Sequence, residues 1–290
     1  MAVSFTESVK PHLAVLRFDY SEARAFVLVA LAHCLPGNRG TRRPRENNLR
    51  LCPRKCSHRP MPWDYWLIFL VLGVVIPWRG RVRLQRLLAQ PARGTNEKLA
   101  LYGSTIAFQW ALLGVVAWRV LARGLTAAQL GLGRRMTTEL LFLSLAGAAL
   151  LGAFQWFNLR RIARMTGPVP DFMRKLAERL LPSNPVEFAA YCALVITAGV
   201  CEEFLYRGFA MAALSRAGIA PWAVVATSSI LFGLAHTYQG KSGILGTMLM
   251  GALFGVFRLA YQSLVPVMVW HSVVDLVAGV AGPRYLLRDS

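Results

Sequence analysis

The sequence predicts an all-α protein, a polytopic bundle of about seven to eight membrane-spanning helices, and two observations carry this prediction. Hydrophobic residues make up 55% of the 290 residues and charged residues only 16%, with a mean hydropathy of +0.43, so the chain is more apolar than a typical soluble domain. The charges also gather in short blocks between long apolar stretches, as they do when lipid excludes them. Because backbone exposed to lipid must satisfy its own hydrogen bonds, we expect every span to be helical.

Composition divides the chain into four parts. Residues 1–60 hold eleven of the 33 basic residues and four of the 14 acidic ones, and we expect a disordered or non-native extension, with a natural start at Met61 as one hypothesis. Residues 61–185 are predicted to form N-terminal transmembrane helices joined by basic loops. Residues 186–282 are predicted to form a helical core that holds the polar motifs, and residues 283–290 a tail.

Seven apolar stretches follow one another from Met61 onwards, and several are slightly shorter than the ~20 residues that a spanning helix needs. A further short helix is expected at Phe209–Leu214, ending near Gly218. The predicted spans are Trp63–Trp78, Leu99–Val120, Thr138–Phe157, Val186–Tyr206, Trp222–His236, Ile244–Leu259 and Leu264–Val280.

Basic residues between the spans give the expected orientation. The loops Arg79–Lys98 and Asn158–Pro185 carry six Lys and Arg residues each, and the intervening Arg119–Arg135 carries four. By the positive-inside rule the first two loops are expected to be cytoplasmic and Met61 to lie outside.

The net charge of +19 does not indicate a nucleic-acid-binding protein. The Arg clusters lie beside apolar spans, where they suit anionic lipid headgroups, and little sequence remains for a folded basic surface. We expect the lipid bilayer as a partner and no nucleic acid.

The five cysteines do not predict a disulfide framework. Cys192 and Cys201 lie in an apolar span, where they are expected to pack as small side chains. The N-terminal Cys and His residues follow no common zinc spacing and lie among arginines, which disfavours a cation there; they are His33, Cys34, Cys52, Cys56 and His58.

Few ionisable side chains lie inside the apolar spans, and these are the candidate functional residues. They are two carboxylates side by side, Glu202 and Glu203, a third carboxylate, Asp275, and the two histidines found after Met61, which are His236 and His271. Each costs ~2.5–3.5 kcal/mol or more at mid-membrane, so each needs an explanation.

Helical spacing unites these residues with two further side chains. Side chains four residues apart share one helical face, so three helices each turn a polar face to one side, and one buried polar site is expected. Glu203 and Arg207 could alternatively be a structural ion pair, and Phe232 simple core. The pairs are Glu203 with Arg207, Phe232 with His236, and His271 with Asp275.

Such a site suits hydrolysis. A carboxylate beside a histidine can orient a water and take its proton, and a second histidine can stabilise the oxyanion of a tetrahedral intermediate. The same donors could hold Zn²⁺ with an open position for water, although no H-E-x-x-H motif is present. Spacing alone does not separate metal-free from zinc-assisted hydrolysis.

Three motifs in order on successive helices resemble the CAAX protease and bacteriocin-processing (CPBP, or ABI) family, which includes the type II CAAX prenyl endopeptidases. They are E-E-x-x-x-R at Glu202–Arg207, F-x-x-x-H at Phe232–His236 and H-x-x-x-D at His271–Asp275. The resemblance spans about residues 186–282. It implies a multi-pass integral membrane protease, which we expect in the bacterial plasma membrane.

The resemblance also implies roles for the individual residues. Glu202, helped by His236, would activate the attacking water, and His271 with Asp275 would polarise the scissile carbonyl. Glu203 and Arg207 would organise the site. Peptides or membrane-associated proteins, including prenylated CAAX-type proteins, would be the substrates.

Asp275 departs from the prenyl endopeptidases, which have Asn at the end of the third motif. An Asn amide can donate a hydrogen bond to an oxyanion, whereas an ionised Asp cannot. Asp275 is therefore either protonated, or a metal ligand, or a residue that orients His271; the i, i+4 spacing favours orientation.

Two other functions could use the same ionisable residues. A non-catalytic scaffold or immunity-type protein of this fold is expected to lack some motif residues. In this chain every acidic and imidazole position of the motifs is present. A proton-coupled carrier would use buried charges of this kind, yet the two halves of the chain show no inverted repeat. We therefore favour an intramembrane endopeptidase.

Overall fold

The structure is a computed structural model that describes residues 60–89, 94–164 and 171–287. Its regular structure is helical throughout these ranges, which confirms the predicted all-α class. The predicted N-terminal extension and the Cys and His residues between His33 and His58 lie outside the described residues.

The helices follow one another with short connections. A π-helical stretch, Val71–Val75, joins the first two, and a second one, Phe204–Ala210, joins the seventh and eighth. The α-helices are α1 (Trp63–Leu70), α2 (Ile76–Ala89), α3 (Thr95–Ala122), α4 (Ala127–Leu130), α5 (Thr138–Arg164), α6 (Asp171–Leu180), α7 (Pro185–Glu203), α8 (Met211–Arg216), α9 (Pro221–Ala235), α10 (Gly240–Tyr261) and α11 (Val265–Leu286).

Within the described residues, five helices are long and apolar enough to cross a membrane, so the chain is an integral multi-pass membrane protein. They are α3, α5, the continuous helix Pro185–Arg216, the helix Thr237–Tyr261 that includes α10, and α11. The predicted count of seven to eight is not confirmed. The segment predicted as Trp222–His236 is the fifteen-residue α9, and the helix that begins at Trp63 becomes basic after Trp78.

The predicted short helix at Phe209–Leu214 is not a separate element. The backbone is helical from Pro185 to Arg216, and the π-helical turn Phe204–Ala210 lies within this continuous helix. Insertions of this kind occur often at functional sites. Here the turn lies directly after Glu202 and Glu203.

The helix Pro185–Arg216 forms the centre of the described structure. All seven residues of its π-helical turn are buried, and Phe209 packs edge-on against Tyr65 of α1, with ring centroids 5.1 Å apart. Helices α3 and α11 pack against α7, α5 packs against α11, and α9 packs against α10. The polar end of α7 is thereby enclosed by α3, α9 and α11.

Large apolar side chains cover the outer helix faces. Phe142 is 74% exposed and Leu145 61% exposed on α5, and Trp118 is 64% exposed near the end of α3. An apolar surface of this extent suits contact with lipid tails and not with water. The interior, by contrast, holds the ionisable side chains described next.

Candidate active site

Glu203 lies at the end of α7 and is completely buried. Its Oε1 accepts a hydrogen bond from Nη1 of Arg207 at 2.9 Å, and Arg207 is equally inaccessible. The predicted ion pair on one helical face is therefore present. A buried carboxylate needs such a partner, because an isolated charge in this environment would cost several kcal/mol.

Arg207 lies between two aromatic rings. Its guanidinium carbon is 4.1 Å from the centroid of Phe232 and 5.6 Å from that of Phe254. A Cβ at Gly251 would come within 3.0 Å of Nη2, so the absent side chain leaves room for the guanidinium. Phe232 is buried as expected of a core residue, and it also makes a cation–π contact with the ion pair.

Glu202 precedes Glu203 but retains some exposure, with 19% of its side chain accessible. Its Oε1 accepts a hydrogen bond of 2.7 Å from the side-chain amide of Gln109 on α3. Its Oε2 lies 3.8 Å from Nε2 of His236 and 4.0 Å from Nε2 of His271. One oxygen is thus fixed by an amide, and the other faces two imidazoles.

His236 directly follows the last residue of α9. Its Nδ1 lies 2.8 Å from the backbone carbonyl of Phe232. Since a carbonyl can only accept, Nδ1 carries the proton, and in the neutral imidazole Nε2 has a free lone pair. That lone pair is on the side of the ring that faces Glu202.

His271 is held by the second glutamate. Its Nδ1 lies 2.7 Å from Oε1 of Glu203, and a carboxylate paired with Arg207 is an acceptor, so Nδ1 donates. The Nε2 atom lies 3.5 Å from Oδ2 of Asp275 and is nearer to that carboxylate than to Glu202. The short contact that orients His271 is therefore made by Glu203, and Asp275 makes a longer contact on the opposite side of the ring.

A close approach of α7 and α11 brings Glu203 and His271 together. A Cβ at Gly199 would collide with Oγ of Ser272 and would lie 2.9 Å from the carbonyl oxygen of Met268. Met268 and Ser272 flank His271 on α11. Only glycine at this position allows the two backbones to lie close enough for the 2.7 Å contact.

The six predicted site residues occupy one cluster, as the spacing of the motifs indicates. Two contributors were missed. Gln109 belongs to none of the three motifs and stands alone in an apolar span. An amide at mid-membrane with no polar neighbour in its own helix is nevertheless a signal, because it needs a partner from another helix. Gly199 carries no chemistry, and its importance depends on which helix it faces. The contacting residues are Glu202, Glu203, Arg207, His236, His271 and Asp275.

Zinc, which the sequence leaves open as an alternative, finds no suitable donor set in the described residues. Among residues 60–89, 94–164 and 171–287, no group of three His, Cys, Asp or Glu side chains has an arrangement that could hold a metal. In the cluster itself, the carboxylate of Glu203 is committed to Arg207 and to Nδ1 of His271. No step below is routed through a metal.

Residues 184–277 match the family model described as Type II CAAX prenyl endopeptidase Rce1-like. The match covers about a third of the chain and includes all six candidate site residues, but not Gln109. It confirms the resemblance that the three motifs indicate. Searches of curated proteins and of solved structures found no match.

Proposed function

We propose that the chain is an intramembrane endopeptidase in which Glu202 and His236 activate a water that attacks a peptide bond. The family match supports protease activity of the CAAX type in general. The observation that carries the proposed mechanism is the position of Oε2 of Glu202, 3.8 Å from Nε2 of His236 and 4.0 Å from Nε2 of His271. Polar groups that lie more than about 3.5 Å apart can share a bridging water.

The first step is deprotonation of that water. The carboxylate oxygen and the free lone pair of His236 can both accept from one water molecule, so the water is oriented and made more nucleophilic as a proton leaves it. The water oxygen forms a bond to the carbonyl carbon of the substrate, and the carbonyl π pair moves onto the carbonyl oxygen. The proton is held by the Glu202–His236 pair.

The second step is stabilisation and collapse of the tetrahedral intermediate. With Nδ1 bonded to Glu203, a protonated His271 presents its Nε2–H as a donor for the oxyanion. Collapse re-forms the carbonyl and breaks the C–N bond. The proton held by Glu202 and His236 passes to the leaving nitrogen, so that hydrolysis consumes one water and leaves the site unchanged.

Glu203 and Arg207 are proposed to hold the site together and not to react. Their ion pair is inaccessible, and the Oε1 atom that meets Arg207 is the same atom that meets Nδ1 of His271. A neighbouring carboxylate stabilises the imidazolium form of His271. Arg207 balances that carboxylate, so the buried charge remains partnered in both protonation states of the histidine.

The proposed substrates are membrane-associated peptides or proteins, including prenylated CAAX-type proteins. The family match and the apolar outer faces of the bundle support this class. Asp275 is the residue that sets this site apart from the Asn pattern of prenyl endopeptidases. The requirement for a prenyl group is therefore tested separately.

The test uses the purified full-length protein in liposomes and an internally quenched CAAX peptide, supplied with and without a farnesyl group. We expect cleavage by wild type, and a loss of roughly 10²–10⁴-fold in rate for Glu202→Gln and for His236→Ala, both still folded. Near-normal turnover by Glu202→Gln would refute the mechanism. Absence of cleavage of either peptide by wild type would favour a scaffold, and inhibition by a chelator would bring back the zinc hypothesis.

A further inference from the structure

Gln109 lies in the middle of α3, where an amide side chain is out of place. From Ile106 to Trp118 it is the only strongly polar residue. An amide without a hydrogen-bond partner is costly in an apolar medium, and polar side chains in membrane helices therefore bond to a neighbouring helix. Gln109 does so across the helix contact, to Oε1 of Glu202 at 2.7 Å.

The chemistry of the two groups fixes the direction of this bond. An ionised carboxylate only accepts, so the amide nitrogen of Gln109 donates to it. Glu202 then has two inequivalent oxygens, because Oε1 is engaged by the amide while Oε2 faces the two imidazoles. Rotation of the carboxylate about its last torsion would lose this bond.

We propose that Gln109 is a positioning residue for the reaction: its amide holds Oε1 of Glu202, so that Oε2 is presented to the water between His236 and His271. This inference rests on the proposed hydrolytic function. It adds a residue from α3, outside the matched segment 184–277, to a site otherwise built from α7, α9 and α11.

A purely structural role for the bond is disfavoured by a second link between the same helices. Trp110, the next residue on α3, donates from its indole nitrogen to Oγ1 of Thr197 on α7 at 3.1 Å. The two helices also pack along their length. The Gln109 bond is thus not needed to hold α3 against α7, and the Trp110–Thr197 bond provides a matched control.

Two other groups lie close to the same carboxylate, His236 at the end of α9 and His271 on α11. Both remain in place when Gln109 is changed. The effect of the amide on the position of Glu202 can therefore be isolated.

The experiment compares Gln109→Met, which keeps the length of the side chain and removes the donor, with Thr197→Val, which removes the other interhelical bond. For Gln109→Met we expect kcat to fall about ten- to hundredfold with little change in KM, because the base is misplaced while the substrate surfaces are intact. For Thr197→Val we expect wild-type kcat and wild-type KM.

Folding is checked by the melting temperature of each variant in the same detergent. If Gln109→Met does not fold, Gln109→Asn keeps the amide and shortens its reach, and the same loss of kcat is expected. Wild-type kcat in a folded Gln109→Met variant, with Glu202→Gln inactive, would overturn this inference and leave the proposed function intact. Activity in Glu202→Gln would instead remove the proposed function itself.

Discussion

The helix that begins at Pro185 carries a carboxylate in the first turn and another in the last turn of its α-helical part, and the two have different partners. At the start, Oε2 of Glu187 accepts hydrogen bonds from the backbone nitrogen and the hydroxyl of Ser183, both at 2.8 Å, and from Nζ of Lys98 at 3.1 Å. At the end, Glu202 accepts one bond, from Gln109, and turns its other oxygen to two imidazoles.

Under the proposed function, burial alone does not mark a carboxylate as reactive. Glu187 is only 1% exposed, which is less than Glu202, yet its partners are donors that hold it in place at a helix N-terminus, where a negative charge is stabilised. The partners of Glu202 include two imidazoles, whose ring nitrogens can both donate and accept a proton. Under this proposal, a carboxylate is reactive when its partners can exchange a proton with it. It anchors the helix when its partners only donate hydrogen bonds.

The largest expected effect is the difference in activity between Glu202→Gln and the same substitution at Glu187. We expect Glu202→Gln to lose activity by roughly 10²–10⁴-fold while melting like wild type. Glu187→Gln should instead lose about 2 kcal/mol of stability, because a charge-assisted bond to Lys98 and the helix-end contacts weaken. Peptide cleavage and thermal melting of both variants measure this.

A reversed pattern would break the comparison. If Glu187→Gln removed activity in a protein that still melted normally, the reactive carboxylate would have been assigned to the wrong end of the helix. Cleavage per folded molecule, and not total cleavage, is the quantity to compare, since an unstable variant also loses activity through unfolding.

The second prediction concerns the packing of α7 against α11 near His271. Gly199→Ala introduces a Cβ that meets Ser272 and lies 2.9 Å from the carbonyl oxygen of Met268, so α7 and α11 must move apart near His271. A displacement of about 1 Å at a reacting group can cost roughly a hundredfold in rate, and we expect a loss of that order.

The control for Gly199→Ala is Gly114→Ala on α3. A Cβ at Gly114 has no neighbour within 4 Å, and alanine is the better helix former, so activity should persist and stability should hold or rise. Full activity in Gly199→Ala would mean that the contact between Glu203 and His271 tolerates a change in helix spacing.

Contacts within one helix were predictable from the sequence, and contacts between helices were not. The i, i+4 rule correctly paired Glu203 with Arg207 and brought His271 near Asp275, because helical geometry fixes those neighbours. The 2.7 Å contacts of Glu203 with His271 and of Gln109 with Glu202 depend on how three helices pack. No local pattern records that packing.

The ends of the helices show the same limit. Apolar runs gave the positions of the spans, but the helices extend past them: α5 continues from Thr138 to Arg164, seven residues beyond the predicted end at Phe157. Arginines close to a helix C-terminus are stabilised by its dipole and reach the headgroup region. A hydropathy pattern detects the hydrocarbon portion of a helix and not its full length.

The smallest expected effect concerns Asp275, at the rim of the cluster. Its side chain is 37% exposed and its Oδ2 lies 3.5 Å from Nε2 of His271, whereas Nδ1 is already held by Glu203 at 2.7 Å. Orientation of His271 therefore does not need Asp275. An ionised Asp275 would instead place a negative charge, screened by its exposure, beside the Nε2 atom that is the proposed oxyanion donor.

Asp275→Asn keeps the shape of the side chain and removes that charge. We expect a loss of only about two- to tenfold in kcat, of the order that a partly screened charge supplies. Because Asp275 lies beside the proposed oxyanion donor and not beside the attacking water, kcat should fall while KM changes little. If Asp275 were a protonated donor instead, the Asn variant would keep or gain activity, and the decline of wild-type activity at high pH would vanish in it. Profiles of both proteins, each recorded with and without chelator, separate these outcomes, and a fully active Asn variant whose profile matches wild type would show that the charge contributes nothing.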